Sequence, residues 1–360
     1  MDKLRVGIVG CGRIAPSHGE ALTKMLSDQA DLVAVCDIIP ERAATFADRF
    51  GVQSFYTDYQ EMLQRPDIDI IIICTPSGGH AEQGIMAAKA GKHVVVEKPM
   101  ALSLRDADQL IKACDDAGVT LGVVHQNRFN KAIKLVRSAI DQGRFGALTH
   151  LNAAIRWYRD QAYYDAAPWR GTWAQDGGVL MNQSIHNIDL LQWMAGAPPI
   201  EIYAYTATRM HKIEAEDVAV AIVKFSNGAF GIIEAASTTY PRNLEETLNI
   251  FGATGSVIVG GVAVNRIEAW RFGDDAEEQS ILANQQADPP TVYGFGHSEL
   301  LRDVIEAIRN RRKPCVDGIE GRKALELILG IYHAVRFNRP VTFPLQEQAA
   351  SLADLMGGKK

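Results

Sequence analysis

The sequence is poor in cysteine and holds no cysteine pair that suggests a metal or redox site. Its five cysteines are an odd number, are widely spaced and include no C-x-x-C motif: Cys11, Cys36, Cys74, Cys114 and Cys315. This pattern argues against a disulfide-stapled secreted domain and against a zinc knuckle. We therefore expect a reducing compartment, thiols that pack as small apolar side chains, and no metal site.

Long hydrophobic runs and an excess of basic residues are also missing. The most apolar run, 68–74, is far shorter than the roughly 20 apolar residues of a membrane helix, and the first residues show no signal-peptide pattern. With 37 Lys and Arg against 43 Asp and Glu, the formal net charge is -6, which repels nucleic acid and anionic membranes. These features predict a cytoplasmic protein with no nucleic-acid and no membrane partner.

The hydrophobic pattern divides the chain into two parts. Up to about residue 124, short Val- and Ile-rich runs alternate with helical stretches, and each run is continuously apolar. Continuous apolar strands are typical of a parallel sheet that helices cover on both faces. We therefore predict an α/β domain over 1–124 with a doubly wound parallel sheet.

From about residue 125 the pattern changes to strands separated by turns. The motif Ser226-Asn227-Gly228 between two apolar runs indicates a β-hairpin. We predict an α+β domain over 125–345, built on a mainly antiparallel open sheet, and a tail over 346–360. The predicted helices of this part lie at 129–142, 181–195, 297–309 and 319–337.

A glycine-rich turn follows the first predicted strand and opens a helix: Gly10-Cys11-Gly12-Arg13-Ile14-Ala15. It matches the dinucleotide fingerprint G-x-G-x-x-G/A in its proper context. Gly10 permits the tight turn, and Gly12 lets the backbone approach a pyrophosphate. The exposed N–H groups at the helix start, at Arg13 and Ile14, then hold the phosphates. The turn predicts a Rossmann domain with a bound dinucleotide.

Asp37 ends the second predicted strand, 25 residues beyond Gly12. A carboxylate there can accept hydrogen bonds from the ribose hydroxyls and repels a 2′-phosphate. Its neighbours Ile38 and Ile39 offer no cation for such a phosphate, so NAD is predicted rather than NADP. The alternative is that Asp37 only caps the next helix.

Two further loops follow predicted strands, at the sheet edge where doubly wound folds bind ligands. The first, Thr75-Pro76-Ser77-Gly78-Gly79-His80, makes Thr75, Pro76 and His80 candidate cofactor contacts. A structural histidine at a helix start is favoured over a catalytic role for His80. The second, Glu97-Lys98-Pro99, places an ammonium where the nicotinamide is expected.

These motifs, with Asn182 and His186 further on, resemble the glucose–fructose oxidoreductase/inositol dehydrogenase (Gfo/Idh/MocA) family along nearly the whole chain. The resemblance implies an NAD-dependent oxidoreductase in which Lys98 and His186 face the substrate hydroxyl, with a cis bond before Pro99. Further cofactor contacts are expected at Glu97, Gln126, Trp169 and Arg170.

Alcohol oxidation needs one group that removes the hydroxyl proton and one that stabilises the developing alkoxide. Lys98 and His186 can divide these tasks. Asn182 and His186 are four residues apart, so on one helix they would share a face. An amide is no base, so Asn182 is expected to orient the substrate, whereas an aspartate stands there in many members of the family.

Aromatic and arginine residues concentrate in 156–173, which holds three of the five tryptophans, three tyrosines and three arginines. Aromatic faces stack on rings and arginine forks grip phosphate or carboxylate, so the stretch suits an anionic sugar or nucleotide-sugar. A subunit interface would be enriched in the same residues. The candidate substrate contacts here and in later loops are Arg156, Tyr158, Arg159, Tyr163, Trp173, Tyr240 and Tyr293.

Together with 176–186, this stretch is similar to the branch of the family that oxidises UDP-N-acetylglucosaminuronic acid at C3. That resemblance implies 2-oxoglutarate as a hydride acceptor. A free-sugar or inositol dehydrogenase, and a non-catalytic NAD-binding sensor or repressor, remain alternatives. An open sheet face needs covering, so a homodimer or homotetramer is expected.

Overall fold

The computed structural model of the protein describes residues 2–284, 289, 294, 296–346 and 351–357. It contains two compact units: Met1–His125 with His297–Arg322, and Gln126–Gly296 with Lys323–Lys360. The predicted domains were continuous along the chain, with residues 125–345 in the second. In the structure, residues 297–322 belong to the first unit. The candidate Tyr293 lies outside the described residues.

The first unit is built on a six-stranded parallel sheet with the order β3-β2-β1-β4-β5-β6. Its strands are β1 (Leu4–Val9), β2 (Ala30–Cys36), β3 (Ser54–Tyr56), β4 (Ile70–Ile73), β5 (His93–Val96) and β6 (Leu121–Val123). All four isoleucines of β4 are buried, as expected for a strand covered on both faces. The predicted doubly wound parallel sheet is confirmed.

Five helices lie between these strands or follow them: α1 (Ala15–Glu20), α2 (Pro40–Phe50), α3 (Tyr59–Leu63), α4 (His80–Lys89) and α5 (Leu104–Ala117). Helix α1 runs into a single wide π turn at Ala21–Met25. Helix α5 begins at Ser103, whose hydroxyl accepts from the Asp106 N–H, and ends at Gly118 in the left-handed conformation. These are the N-cap and C-cap residues that such positions favour.

The second unit is built on an eight-stranded sheet with the order β13-β12-β11-β7-β10-β9-β8-β14. Its strands are β7 (Leu148–Arg156), β8 (Pro199–Ala207), β9 (Val218–Phe225), β10 (Phe230–Ala236), β11 (Glu245–Gly252), β12 (Ser256–Gly260), β13 (Arg266–Arg271) and β14 (Val341–Thr342). Strand β10 pairs with β7 in parallel and the other described pairs are antiparallel. The mainly antiparallel sheet is therefore confirmed, and Gly228 makes the predicted β9–β10 hairpin turn.

The remaining helices are α6 (Lys131–Asp141), α7 (Gln161–Asp165), α8 (Val179–Asn182), α9 (Ile185–Ala195), α10 (Asp275–Ala283), α11 (Gly296–Arg309), α12 (Gly318–Phe337) and α13 (Leu352–Gly357). No helix in the described part of the chain is long and apolar enough to cross a bilayer.

One face of the second sheet is buried and the other is open. Along β9 the pattern alternates strictly, with Ala219, Ala221 and Val223 buried and the residues between them exposed. This period of two is what a sheet with one solvated face requires. The open face carries large apolar side chains that are 40 to 62% exposed: Tyr205, Val220, Ile222, Phe230 and Ile232.

The predicted helix 181–195 is broken in the structure into α8 and α9. The break occurs because the Ser184 N–H bonds to the Val179 carbonyl five residues back, at 2.9 Å, and this wider turn interrupts the α-helical pattern. Asn182 ends α8 and His186 lies in the first turn of α9. The expectation that both share the face of one regular helix is therefore wrong.

Candidate functional site

The glycine-rich turn after β1 has the geometry of a phosphate cradle. Gly10 has a φ of +87°, and a Cβ there would lie 2.7 Å from backbone atoms of Cys74 and Thr75. At Gly12, in contrast, a Cβ would meet nothing within 4 Å, so its backbone faces open space. A tight turn followed by an uncovered backbone at a helix start is what a bound pyrophosphate needs. Gly10 and Gly12 therefore fit the cofactor.

Asp37 ties the end of β2 to this turn. Its carboxylate accepts from the Cys11 N–H at 2.8 Å and from the Ile39 N–H at 2.9 Å, and the residue is only 8% exposed. The second bond is made by Ile39, the residue that precedes α2, and not by an N–H of the helix itself. Contact with the ribose remains a prediction. Arg13 is exposed and Ile14 half-buried at the start of α1.

His80 joins the Thr75 loop to the Glu97-Lys98-Pro99 segment. Its Nδ1 lies 2.7 Å from the Pro99 carbonyl oxygen and its Nε2 lies 2.8 Å from the Thr75 carbonyl oxygen. Both ring nitrogens are thus engaged by the protein, and burial lowers the pKa of His80. His80 therefore organises the site instead of presenting a nitrogen to the cofactor. The Lys98–Pro99 bond is cis, as the resemblance implied.

Glu97 is a buried carboxylate held by a histidine that sequence reasoning missed. His18, on α1, lies with Nε2 2.8 Å from the Glu97 Oε1, and the exposures are 0% and 5%. Burial alone would raise the pKa of Glu97. The hydrogen bond from His18 and the charges of His18, His297 and Lys98 outweigh it and lower the pKa to about 2. Lys98 follows directly and is half-buried.

His18, Glu97 and His297 together form a group that could hold a metal ion. Their ligand atoms lie within 4.8 Å of one another, and two histidines with a carboxylate are ligands that zinc accepts. His297 packs edge-on against His18 with ring centroids 5.2 Å apart, and burial lowers its pKa to about 3. A neutral imidazole is the form that binds metals. The absence of a metal site therefore stays a prediction.

In the second unit, Asn182 lies against a buried aspartate. The Asn182 Nδ2 donates to Oδ1 of Asp176 at 2.5 Å, and Asp176 is 2% exposed. The Asn182 Oδ1 accepts from Gln183 Nε2 at 3.3 Å. His186 is half-buried at the start of α9. Asp176 and Gln183 were not singled out from the sequence, because nothing in their spacing marks them.

Tyr163 lies between two arginines of the predicted substrate stretch. The Arg170 guanidinium lies 4.4 Å and that of Arg159 5.3 Å from its ring centroid. Gln183 Nε2 reaches the Tyr163 hydroxyl at 3.4 Å and so connects this group to Asn182. The structure thus brings three predicted substrate or cofactor residues, Arg159, Tyr163 and Arg170, together, and Gln183 links Tyr163 to the candidate catalytic asparagine.

Other predicted contacts lie elsewhere. Arg156 is on the open face of the second sheet, where it forms ion pairs with Glu234 and Glu245. Its guanidinium is therefore already engaged by two carboxylates. Tyr158 packs edge-on against Tyr240, with ring centroids 5.7 Å apart.

Trp173 packs edge-on against the buried Tyr332 of α12, with ring centroids 5.4 Å apart. Trp169 lies under the Arg170 guanidinium at 5.5 Å. Gln126 is 2% exposed, and its Oε1 has no hydrogen-bond partner among the described residues. Trp169 thus contacts an arginine of the same stretch, whereas Trp173 contacts a residue of α12.

Two buried glutamates near this region were also missed. Burial raises the pKa of Glu216 to about 7 and that of Glu246 to about 8. Glu216 accepts from the Leu180 N–H, at the start of α8, and Glu246 accepts from Asn127. Glu246 falls at an inward-facing position of a predicted strand, which is a signal that could have identified it.

Comparison with known proteins agrees with this architecture. Residues 4–125 match the model of the GFO/IDH/MocA oxidoreductase family with its NAD-binding Rossmann fold, and residues 133–258 match the family's C-terminal domain. A myo-inositol 2-dehydrogenase of Thermotoga maritima is 28% identical over 338 residues, which cover 90% of this chain and 94% of the relative.

Two solved structures are more similar in sequence. The WlbA dehydrogenase of Bordetella pertussis, in complex with NADH and UDP-GlcNAcA, is 42% identical with a TM-score of 0.87, covering 96% of this chain and 100% of that one. The WlbA dehydrogenase of Chromobacterium violaceum, with the same ligands, is 42% identical with a TM-score of 0.88, covering 96% and 97%. The chain therefore belongs to the GFO/IDH/MocA family and is an NAD-dependent oxidoreductase that acts on CH–OH groups.

Proposed function

We propose that the protein oxidises a ring-carbon alcohol of a nucleotide-sugar, C3 of UDP-N-acetylglucosaminuronic acid (UDP-GlcNAcA), with NAD as the hydride acceptor. The observation that carries the proposal is the 42% identity, over 96% of the chain, to two dehydrogenases whose structures contain NADH and UDP-GlcNAcA. Identity to the inositol dehydrogenase is 28%. A nucleotide-sugar is therefore favoured over a free polyol.

The Arg159–Tyr163–Arg170 group supports an anionic substrate. Two guanidinium groups within 5.3 Å of the centroid of one aromatic ring place positive charge beside an apolar face. Such a group can bind carboxylate or phosphate through the arginine forks and a sugar or base ring through the tyrosine. UDP-GlcNAcA carries all of these features, whereas inositol carries no charge.

The cofactor is held by the residues of the first unit that fit it. The N–H groups around Gly12 and at Arg13 and Ile14 would bind the pyrophosphate, and Asp37 would accept from the ribose. Bound NAD supplies the carbon that accepts the hydride. Thr75 and Pro76 lie at the same sheet edge, at the end of β4.

In the proposed oxidation, the alcohol loses one hydride from carbon and one proton from oxygen. His186 accepts the proton, and the Lys98 ammonium donates a hydrogen bond that stabilises the developing negative charge on that oxygen. Asn182 accepts a hydrogen bond from a substrate hydroxyl and orients the sugar. The products are a keto-sugar, NADH and a proton that leaves through His186.

The substrate assignment is tested by following NADH formation with UDP-GlcNAcA, UDP-GlcNAc, glucuronic acid and myo-inositol as parallel substrates. We expect turnover with UDP-GlcNAcA and none with the two free compounds, because these lack the nucleotide. Turnover of myo-inositol at a rate equal to that of UDP-GlcNAcA would instead assign a polyol dehydrogenase.

The catalytic roles are tested with Lys98→Met and His186→Asn. Each is expected to lower kcat by several orders of magnitude, because each removes a group needed at the reacting oxygen, while NADH affinity changes only a few-fold. Lys89→Met, an exposed lysine at the end of α4, is the matched control. A near wild-type kcat in either site variant would refute the role of that residue.

We further propose 2-oxoglutarate as the acceptor that reoxidises NADH, a cytosolic location and a homo-oligomer formed through the open face of the second sheet. The absence of disulfides among the cysteines supports a reducing compartment.

Native mass spectrometry would report subunit number and any retained NADH together. Adding 2-oxoglutarate should then discharge retained NADH, whereas an unchanged NADH signal would exclude this acceptor.

A further inference from the structure

Asp176 is a buried carboxylate that closes its own loop and also reaches the candidate site. Its Oδ2 accepts from the Gly171 N–H at 2.8 Å, and its backbone N–H donates to the Thr172 carbonyl at 3.1 Å. Its Oδ1 accepts from the Asn182 Nδ2 at 2.5 Å. Oδ2 of Asp176 therefore bonds to the backbone of its own loop, and Oδ1 bonds to the Asn182 side chain.

This contact determines the orientation of the Asn182 side-chain amide, that is, whether its NH2 group or its carbonyl oxygen faces Asp176. An ionised carboxylate accepts hydrogen bonds and donates none, so the Asn182 atom beside Asp176 must be the NH2 group. The carbonyl Oδ1 is then turned away from Asp176. Gln183 Nε2, which also contacts the Tyr163 hydroxyl, approaches Oδ1 at 3.3 Å. The charge of Asp176 polarises the amide and strengthens Oδ1 as an acceptor.

We propose that Asp176 is a positioning residue that fixes Asn182 with its carbonyl oxygen as the hydrogen-bond acceptor for a substrate hydroxyl. The inference rests on the proposed function, in which Asn182 orients the sugar. It deepens that proposal, because the site then requires a hydroxyl donor from the substrate at this point. A substrate that lacks this hydroxyl cannot make the hydrogen bond to the polarised oxygen and should bind less tightly.

The link between the two side chains is tested first without substrate, by thermal unfolding as a function of pH. The variant Asn182→Asp places two carboxylates in hydrogen-bond contact, and such a pair shares one proton. In the folded variant the pKa of the second carboxyl of the pair is raised, whereas in the unfolded chain both carboxyls ionise freely. The Tm of this variant should therefore fall more steeply than that of wild type as pH rises from about 5 to about 8.

The double variant Asp176→Asn with Asn182→Asp rebuilds the pair with its partners exchanged. Its Tm should return toward wild type at about pH 8, because an amide again faces a carboxylate. The exposed Asp165→Asn, in the same stretch, is the control for loss of one carboxylate. Equal pH dependence of Tm in Asn182→Asp and wild type would overturn the proposed contact.

The effect on substrate is tested by steady-state kinetics with Asp176→Asn. We expect kcat/KM to fall about tenfold, mainly through a higher KM, because a substrate hydrogen bond is lost while Lys98 and His186 are retained. NADH affinity should not change, and the exchanged double variant should recover part of the loss. A kcat/KM within twofold of wild type would refute the positioning role.

These two experiments separate the failure of the inference from that of the proposed function. If no sugar is oxidised by the wild-type protein, the proposed function fails, yet the Tm series still decides whether Asp176 holds Asn182. If sugars are oxidised and Asp176→Asn is as active as wild type, only the positioning role fails.

Discussion

Glu216 lies in the interior of the second unit with an incomplete set of hydrogen bonds. Its Oε1 accepts from the Leu180 N–H and from the Tyr332 hydroxyl, both at 3.0 Å, while its Oε2 is buried without a hydrogen-bond partner among the described residues. Burial raises the pKa of Glu216 to about 7. Ionisation is therefore easier in the unfolded chain than in the folded protein.

A raised folded-state pKa means that stability is highest below the ordinary pKa of a glutamate and is lost as pH rises through about 7. Glu216→Gln removes this ionisation. We expect its free energy of unfolding, relative to wild type, to rise by roughly 1 to 3 kcal/mol between about pH 5 and about pH 8. Urea unfolding at both values measures it, with the exposed Glu82→Gln as control. Parallel pH curves for wild type and Glu216→Gln would contradict the prediction.

The His18–Glu97 pair shows the opposite sign. The pKa of Glu97 is lowered to about 2, so the stability that this pair contributes is present above about pH 4.5 and is lost as pH falls toward 2. His18→Leu leaves a buried carboxylate without this partner and should cost about 3 kcal/mol of unfolding free energy at neutral pH.

His18→Gln keeps a donor and is the matched control for His18→Leu. Urea unfolding should place the glutamine variant between the leucine variant and wild type, because an amide can still donate to Glu97. The double variant His18→Leu with Glu97→Gln should recover part of the unfolding free energy that His18→Leu loses, since it removes the uncompensated charge. Equal stability of the leucine and glutamine variants would show that the hydrogen bond contributes nothing.

At the scale of single elements, apolar runs and turn motifs predicted five of the six strands of the first sheet and most helices, but they missed β3. They could not predict β13 or α10, because α10 buries none of its residues and shows no apolar face. They also missed the division between α8 and α9. That break accompanies a backbone hydrogen bond from the Ser184 N–H to the Val179 carbonyl, which local periodicity does not predict.

The turn between β1 and α1 allows two glycines with different tasks to be separated. Gly10→Ala should destabilise the protein by more than about 2 kcal/mol, because φ is +87° and the added Cβ meets the backbone at 2.7 Å. Gly12→Ala meets nothing within 4 Å, so the unfolding free energy should change by less than about 1 kcal/mol.

NADH affinity gives the complementary result. Gly12→Ala should weaken NADH binding at least tenfold, because the methyl group occupies the space that the pyrophosphate needs. Urea unfolding without cofactor and NADH titration by fluorescence measure the two properties on the same samples. Loss of stability in Gly12→Ala with unchanged NADH affinity would mean that the open space beside Gly12 is not the phosphate site.

Across the whole molecule, the sequence predicted two domains but not their boundaries along the chain. Residues 297–322 belong to the first unit, although they follow the second unit in sequence. Local patterns do not reveal this, because the amphipathic pattern of α11 is the same whichever unit the helix packs in. The candidate site shows the same limit. Motifs singled out Lys98 and His186 as candidates. His18 and Glu216 became visible only through contacts between residues distant in sequence, and Asp176 through its contact with Asn182 six residues further on.

The open face of the second sheet carries a group of exposed large apolar side chains. Ile222 is 60% exposed and lies between Tyr203 of β8 and Ile232 of β10 in the strand register. A neighbouring subunit that covers this face would bury Ile222, and Ile222→Lys would then place a charge in that interface. Light scattering coupled to gel filtration should show a lower mass for Ile222→Lys than for wild type. Met25→Lys, 57% exposed in the first unit, is the matched control and should keep the wild-type mass. If Ile222→Lys also keeps the wild-type mass, subunits do not associate through this face.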